Sequence, residues 1–372
     1  MLNFLKEHEA NVETNSLSKE KSDDSNNSKF TRTIVCTIES SMYRPCDAYA
    51  KASKGSVRLD VLSLSVTAEA ESRSAFDESS LQNQSGKHRK QKRKGLNKSA
   101  PDEDRPFEGK SMAMIFEKPS TRTRMSFDIA VKQLGGSSII LNPDGIHYGK
   151  GDETLKDTAK VLTEYVDIVM LRTGSHKNLE EFGKHLDIPI INGLSDQSHP
   201  CQIMSDILTF EEIKGPINGK TISWLGDGNN NMSNSLIEAA GKLNFKLKIG
   251  CPKKYTPSKK ILIWAKKNKV NLLISKNPED AVKDSDCVMT DKWVSMNDKV
   301  NKKSKKKILK SYQVNKKLMN KAKPDAIFMH CLPVGRGEEV TNEIIDGKQS
   351  VVWTQALNRV HAQKSIINWC LG

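Results

Sequence analysis

The feature that most constrains the fold is a regular alternation of short apolar runs and helix-length amphipathic segments, which begins near residue 105. The apolar runs are almost continuously hydrophobic, as expected for strands of a parallel sheet that is covered on both faces. The segments between them, such as TLKDTAKVLTEYV and SNSLIEAAGKL, have the length and spacing of helices. This alternation predicts an α/β protein built from doubly wound parallel sheets.

The apolar runs form two series, which predict two such domains. The first series is SMAMIF (111–116), SSIILN (137–142), DIVMLRT (167–173) and IPIING (188–193). The second series is TISWLGD (221–227), KLKIGCP (246–252), NLLIS (271–275), CVMTD (287–291), AIFMHC (326–331) and VVWTQ (351–355). Because EEIKGPINGK (211–220) separates the two series, we place the first domain at 105–214 and the second at 215–354. The last helix, 355–372, is expected to return to the first domain.

Residues 1–104 have a different character. They are polar and rich in Ser, Asn and Lys, with two short strand-like runs, TIVCTIES (33–40) and VRLDVLSLSV (57–66). Segments with so little apolar surface do not bury enough of it to offset the entropy lost on folding. We therefore expect residues 1–104 to form a poorly ordered N-terminal extension, largely disordered or loosely packed.

The net charge of +14 raises the question of a nucleic-acid partner. The densest basic runs, KHRKQKRK (87–94) and NKKSKKKILK (301–310), contain no aromatic residues that could stack on bases. No apolar run is long enough to span a bilayer, and the N-terminus lacks the apolar core of a secretory signal. Seven scattered cysteines are typical of a reducing compartment. We expect a cytoplasmic protein with neither a nucleic-acid nor a membrane partner.

A candidate anion site follows the first strand of the regular region, in FEKPSTRTRMSFD (116–128). A helix is predicted to begin near Ser120, with Ser120 or Thr121 as its N-cap. The free backbone N–H groups of a helix N-terminus favour anions. Arg122 adds a planar fork that suits phosphate oxygens. These features predict a phosphate-binding loop at the end of the strand.

Two further polar strand ends strengthen this prediction. Arg172 follows the strand in MLRT, and His199 and Gln202 lie in SHPCQIMSD, ahead of the next helix. Ligands of doubly wound sheets bind at the carboxyl ends of the strands. We therefore expect these side chains to share one site, which neutralises a phosphate and donates hydrogen bonds to a carbonyl oxygen.

Five motifs, taken together and in this order, resemble the ornithine branch of the aspartate/ornithine carbamoyltransferase family. They are FEKPSTRTRMSFD, HPCQ, LGDGNNNMSNS, TDKWVSM and HCLP, and the resemblance covers roughly residues 105–372. It implies a carbamoyl-phosphate domain followed by an ornithine domain. It also implies transfer of the carbamoyl group of carbamoyl phosphate to the δ-amine of L-ornithine, which gives L-citrulline and phosphate in arginine biosynthesis.

The resemblance also implies a set of site residues. Those implied for carbamoyl phosphate are Ser120, Thr121, Arg122, Thr123, Arg172, His199, Pro200, Cys201, Gln202, Cys331, Leu332 and Arg359, with His147 as a further candidate. Those implied for ornithine are Asn230, Asp291, Ser295 and Met296. The implied catalytic residues are Cys331, Arg122, His199 and Asp291.

Within that set, Cys331 is expected to orient or deprotonate the δ-amine, as a thiolate poised by Asp291. The family often has glutamine at the position of His147, where it reaches the carbamoyl phosphate of a neighbouring subunit. The resemblance further implies a homotrimer, or a multiple of trimers, with interfacial sites and without cofactor or metal.

The sequence departs from the family pattern at Asn297, where glycine is usual, and at Thr354 and Leu357, where acids are common. The alternative function is a sister carbamoyltransferase that acts on N-acetylornithine, putrescine or aspartate. Asp291 favours an amine substrate that has a free α-ammonium group, as ornithine does.

Two other classes of protein are disfavoured. LGDGNNN lacks the third glycine of a dinucleotide-binding loop. The spacings of His199, Cys201, His330 and Cys331 resemble no zinc pattern.

Overall fold

The computed structural model describes residues 102, 105–142, 153–294 and 301–371, together with the backbone of Val35–Cys36. The VRLDVLSLSV strand and almost all of the predicted N-terminal extension lie outside these residues. So do four positions singled out from the sequence, which are His147, Ser295, Met296 and Asn297. Within the described residues, no helix is both long enough and apolar enough to cross a membrane.

The first domain is an α/β layer structure. Its elements are β1 (Val35–Cys36), β2 (Ser111–Phe116), α1 (Thr121–Gln133), β3 (Ser137–Leu141), α2 (Leu155–Tyr165), β4 (Ile168–Arg172), α3 (His176–Gly183), β5 (Ile190–Leu194) and α4 (Pro200–Lys214). The described strands pair in parallel in the order β1–β5–β4–β2–β3. The central strands β2 and β4 are buried on both faces, which is why their sequences are almost continuously apolar.

The second domain repeats this architecture. Its elements are β6 (Thr221–Leu225), α5 (Asn231–Leu243), β7 (Lys246–Gly250), α6 (Lys259–Lys267), β8 (Leu272–Ser275), α7 (Pro278–Val282), β9 (Cys287–Thr290), α8 (Lys302–Leu309), α9 (Lys316–Met319), β10 (Ile327–His330) and α10 (Asn342–Ile345). The parallel strand order is β10–β9–β6–β7–β8. The two sheets confirm the predicted fold class of two doubly wound α/β domains.

The C-terminal helix, α11 (Val352–Leu371), contacts both domains. It packs on α4 and α1 of the first domain. Its Ile367 and Cys370 lie in the same apolar cluster as Phe127 and Ala130 of α1. Its first residue, Val352, instead packs in a cluster of the second domain. The helix therefore joins the cores of both domains.

The strand predicted at VVWTQ (351–355) is wrong, because α11 begins at Val352. The chain pairs with the sheet just ahead of the helix, where Ser350 forms a parallel bridge with Phe328 of β10 and the backbone N of Val351 donates to the Phe328 carbonyl at 3.0 Å. A short apolar run does not by itself distinguish a buried strand from the start of a buried helix. Val352 and Gln355 are buried while Trp353 is 61% exposed, which is helical rather than strand spacing.

Candidate active site

The start of α1 forms the first part of the site. Ser120 is its N-cap, and the Ser120 hydroxyl accepts a hydrogen bond from the backbone N of Thr123 at 3.3 Å. The first turn of the helix contains no acidic residue, so its positive end is not neutralised from within. Glu117, just ahead, accepts hydrogen bonds from Thr173 Oγ1 and from the backbone N of Gly174. Glu117 thus ties the loop after β2 to the loop after β4.

Two arginines converge on Thr123, which is buried. Arg172 Nη1 donates to Thr123 Oγ1 at 3.2 Å, and Arg359 Nη2 donates to the same oxygen at 3.0 Å. The Nε atoms of both arginines have no partner among the described residues. Burial lowers the pKa of Arg172 to about 10, with further contributions from the charges of Arg359 and Arg122, and burial also lowers the pKa of Arg359. Cations in this situation are stabilised by an anion.

Arg122 lies close enough to influence both halves of the site. It is half-buried, and Thr121 beside it is exposed. Its charge helps to lower the pKa of Arg172, and it slightly opposes the rise in the pKa of Cys331 that burial causes. Arg122 forms no ion pair among the described residues, and neither does Arg359. The loop after β2 therefore brings a cation without an internal counterion toward the cysteine of the second domain.

His199 is the N-cap of α4 and is only 5% exposed. Its backbone N donates to Ser235 Oγ of α5 at 2.9 Å, while its Nδ1 has no partner among the described residues. Burial, and then the charges of Arg359, Arg172 and Arg122, hold the pKa of His199 well below its usual range. The imidazole is therefore neutral at pH 7, and it can donate one hydrogen bond without adding a charge.

The remaining residues of HPCQ have different surroundings. Pro200 occupies the first turn of α4, where its missing N–H costs nothing. The Cys201 thiol donates to the carbonyl of Asn192 at 3.3 Å, and burial raises its pKa to about 12. Gln202 accepts a hydrogen bond from Arg359 Nη1 and is 1% exposed. The Cys201 side chain is therefore committed to the core, whereas Gln202 contacts the arginine cluster.

Cys331 and Asp291 form the centre of the second-domain side. They follow the neighbouring strands β10 and β9, and Cys331 Sγ donates to Asp291 Oδ1 at 3.0 Å. Burial, and then the Asp291 carboxylate, raise the pKa of Cys331 well above its ordinary value. This arrangement does not favour the predicted thiolate, because a nearby negative charge favours the protonated thiol.

The residues around Cys331 fix the local backbone. Leu332 has a φ of +57°, and its backbone N donates to His330 Nδ1 at 2.8 Å. His330 Nε2 lies 3.2 Å from Glu339 Oε1, and both side chains are fully buried. The positive φ is unfavourable for leucine, so this hydrogen bond helps to hold Leu332 in place.

The donor atoms of Asp291, His330 and Cys331 lie within 4.8 Å of one another, which is close enough for metal ligands. Both nitrogens of His330 are already committed, however, to Leu332 and Glu339. Two ligands then remain, whereas protein zinc sites typically use three or four. The geometry does not favour a metal ion here, and the expected absence of a metal stays a prediction.

Asn230 has a structural task in this arrangement. It is the N-cap of α5, where its Oδ1 accepts from the backbone N of Ser233 at 2.8 Å. Its Nδ2 donates to the carbonyl of Asp227 at 3.2 Å. The amide of Asn230, which the resemblance implies as part of the ornithine site, is thus engaged in capping the helix.

Sequence reasoning missed the residues that join α5 to the loop ahead of α4. Asn231 Nδ2 donates to the carbonyl of Ser195 at 2.9 Å, and Asn234 Nδ2 donates to that of Gln197 at 3.1 Å. Ser235, described above, is the third member of the group. Positions i, i+3 and i+4 lie on one face of a helix, so a polar stripe at this spacing was the available signal.

Two domain models of one family match the chain. The carbamoyl-P binding domain of aspartate/ornithine carbamoyltransferase matches residues 60–212, and the Asp/Orn binding domain matches residues 218–370. Together they span more than half of the sequence, and the chain belongs to the aspartate/ornithine carbamoyltransferase family. The first match begins well before residue 105. Residues 60–101 lie outside the described part of the chain, so the boundary placed at 105 stays a prediction.

Relatives and solved structures agree with this assignment and confirm the resemblance seen in the five motifs. An ornithine carbamoyltransferase of Rhodopseudomonas palustris is 52% identical over 279 residues, which are 75% of this chain and 89% of that protein. The structure of ornithine carbamoyltransferase from Pyrococcus furiosus is 43% identical with a TM-score of 0.68, and the match covers 76% of this chain and 89% of that chain. The structure of anabolic ornithine carbamoyltransferase from Campylobacter jejuni is 35% identical with a TM-score of 0.68, covering 76% and 92%.

Proposed function

We propose that the chain transfers the carbamoyl group of carbamoyl phosphate to the δ-amine of L-ornithine, giving L-citrulline and phosphate. The observation that carries the proposal is that an arginine cluster, which forms no ion pair within the described residues, lies close to the Cys331–Asp291 pair. The ornithine carbamoyltransferases named above support ornithine as the amine. The anabolic enzyme of Campylobacter jejuni supports the biosynthetic direction, toward arginine.

The first-domain side of the crevice suits carbamoyl phosphate. Its phosphate is the leaving group and carries charge that Arg122, Arg172 and the start of α1 neutralise. The carbonyl oxygen becomes negative as the amine attacks the carbonyl carbon. Neutral His199 and the Thr123 hydroxyl are the donors assigned to that oxygen. The C–N bond forms first, the bond from carbon to the phosphate oxygen then breaks as the carbonyl is restored, and the proton lost by the attacking amine leaves with the phosphate.

The second-domain side suits an amino acid with a free α-ammonium group. The Asp291 carboxylate is assigned to that ammonium, and its Oδ1 accepts from the Cys331 thiol at 3.0 Å and from the backbone N of Lys292 at 2.7 Å. Because the thiol is protonated, we assign Cys331 to orienting the δ-amine rather than to removing its proton. Holding the two substrates in contact supplies a large share of the rate.

The remaining assignments belong to this proposal. Ser295 and Met296 extend the ornithine site, and His147 reaches the carbamoyl phosphate of a neighbouring subunit. The enzyme is proposed to be a cytoplasmic homotrimer, or a multiple of trimers, that acts on these small molecules without a cofactor. Asn230 is retained as an ornithine ligand. Because its side chain already caps α5, it binds ornithine through the lone pair or N–H group that the cap leaves unused.

The proposal is tested by measuring carbamoylation of ornithine, aspartate, putrescine and N-acetylornithine in parallel. We expect turnover with ornithine, and a loss of about 100-fold or more in kcat/KM in Arg122→Ala, because a transition-state charge contact is removed. Arg105→Ala is the matched control, since Arg105 is exposed and its ion pair within the described residues is with Glu108 at 3.3 Å. Turnover with another amine alone would overturn the assignment of Asp291 while keeping the anion site.

A further inference from the structure

A buried carboxylate outside the predicted site, Asp206, lies on the side of α4 that faces α11. Its Oδ1 accepts two hydrogen bonds, from Gln202 Nε2 at 2.8 Å and from Gln355 Nε2 at 2.7 Å. All three side chains are at most 2% exposed. One carboxylate oxygen therefore holds two amides, one from each helix.

The hydrogen bonds to the two glutamine Oε1 atoms fix the orientation of each amide. Gln202 Oε1 accepts from Arg359 Nη1, and Gln355 Oε1 accepts from the backbone N of His330 at 2.9 Å. Both of these partners are hydrogen-bond donors only. Each amide oxygen must therefore face away from Asp206, and each amide nitrogen must face toward it.

The two chains of hydrogen bonds end on opposite sides of the crevice. The first ends on Arg359, which also donates to Thr123 Oγ1 at 3.0 Å. The second ends on His330, the residue immediately before Cys331. The contacts thus connect the anion site of the first domain to the strand end that carries the cysteine of the second.

We infer that Asp206 is a positioning residue whose acceptor oxygen keeps the carbamoyl-phosphate side and the amine side of the crevice in register. The inference rests on the proposed function, because this register matters only where two substrates react. Asp206 itself is separated from the proposed substrates by Gln202 and Arg359 on one side, and by Gln355 and His330 on the other. It acts through these residues rather than on the reacting atoms.

The protonation state of Asp206 does not change the arrangement. Burial raises its pKa to about 6, although the two amides and Arg359 favour the ionised form. Its Oδ2 has no partner among the described residues, so a proton on Oδ2 leaves Oδ1 free to accept. An asparagine side chain presents a carbonyl oxygen in the same place. The substitution Asp206→Asn is therefore expected to keep both hydrogen bonds, and Asp206→Leu is expected to abolish them.

A second polar cluster on the same two helices provides a matched control. Asn358 Nδ2 donates to Thr209 Oγ1 at 3.0 Å and to Glu212 Oε2 at 2.8 Å, and Thr209 Oγ1 donates to the carbonyl of Ser205 at 2.7 Å. Thr209 is as buried as Asp206. Thr209→Val removes buried polar contacts between α4 and α11 without removing a hydrogen bond of either amide.

The test compares the full-length wild type with Asp206→Leu, Asp206→Asn, Gln355→Met and Thr209→Val. It measures citrulline formation at saturating substrates, affinity for inorganic phosphate by calorimetry, and thermal unfolding. We expect Asp206→Leu to lower kcat about 100-fold and phosphate affinity about tenfold, because both amides lose their common acceptor. Asp206→Asn should lower kcat only about threefold, since a neutral acceptor is weaker. Thr209→Val should lower the unfolding temperature and leave kcat unchanged.

Gln355→Met breaks only the hydrogen bonds that run from Asp206 through Gln355 to His330. It is the deciding variant if Asp206→Leu fails to fold. It should lower kcat about tenfold without changing phosphate affinity. Folded Asp206→Leu or Gln355→Met with wild-type kcat would overturn the inference. If the wild type binds phosphate but forms no citrulline, the proposed function fails, and the phosphate affinities of Asp206→Leu and Asp206→Asn still decide the role of Asp206.

Discussion

The two sides of the crevice differ in how their polar groups are satisfied. On the first-domain side, Arg122, Arg172 and Arg359 form no ion pair among the described residues, and the Nε atoms of the last two have no partner there. On the second-domain side, the Cys331 thiol donates to Asp291 at 3.0 Å. The first side is thus arranged to receive an anion, whereas on the second side the thiol is already paired with the carboxylate.

This difference has a consequence for binding. An anion at the first side relieves the repulsion among cations that are already held close together. An amine at the second side meets a carboxylate whose Oδ1 already accepts hydrogen bonds from the Cys331 thiol and from the backbone N of Lys292. We therefore expect the anion side to supply more of the ligand-dependent stability than the amine side.

The largest effect is expected from removing a cation of the anion side. Arg172→Gln should lower kcat/KM for carbamoyl phosphate by roughly 100- to 1,000-fold, because one charged donor of the transition state is lost. Steady-state citrulline assays measure this change. Arg336→Gln is the control, since Arg336 is exposed and pairs with Asp346. Equal activity of Arg172→Gln and wild type would mean that the anion binds elsewhere.

The second effect separates the two sides. Asp291→Asn should raise KM for ornithine by about 100-fold, because the charge opposite the α-ammonium is removed, while phosphate affinity stays within about twofold. Ornithine titrations and phosphate calorimetry on the same preparation make the comparison. An equal loss of affinity for both ligands would show that Asp291 organises the whole crevice rather than the amine side alone.

A smaller effect tests the protonation state of Cys331. Because burial and Asp291 raise its pKa, Cys331 should react with iodoacetamide at pH 8 far more slowly than an ordinary thiol. Asp291→Asn removes one of these causes and should accelerate the reaction about tenfold for each pKa unit regained. Mass spectrometry assigns the modified residue, with Cys331→Ser as the blank. Rapid alkylation of the wild type at pH 7 would instead support the interpretation of Cys331 as a thiolate.

The smallest effect distinguishes a cap from a ligand at Asn230. If its amide mainly caps α5, Asn230→Ala should lower the free energy of unfolding by about 1 kcal/mol and change KM for ornithine less than threefold. Denaturant unfolding and ornithine titrations measure the two quantities. Asn230→Ser keeps a capping hydroxyl and should restore the stability. A KM that rises more than tenfold in the serine variant would identify Asn230 as a ligand.

Features that depend on local chemistry could be predicted from the sequence. The Ser120 cap, the strand ends that carry Arg172 and Asp291, and the parallel sheets all follow from neighbouring residues. The run VVWTQ was misjudged because its apolar residues suit either a strand or a helix that joins two cores. Its environment is set by β10 and α4, which lie far away in sequence.

Features that depend on burial or on distant pairing could not be predicted. The sequence predicts a thiolate at Cys331 poised by Asp291, but burial and the Asp291 charge both raise the pKa of that cysteine. Asp206 looks like one polar residue in an ordinary amphipathic helix. Its role is apparent only from its hydrogen bond with Gln355, which lies 149 positions further along the chain.

The most direct test of the account is to quantify phosphate and citrulline together, starting from carbamoyl phosphate with and without ornithine. The account predicts that phosphate release depends on ornithine and that the two products form in equal amounts, because the amine takes the carbamoyl group as the phosphate departs. Phosphate release without citrulline would contradict it, since the crevice would then pass the carbamoyl group to water instead of to an amine.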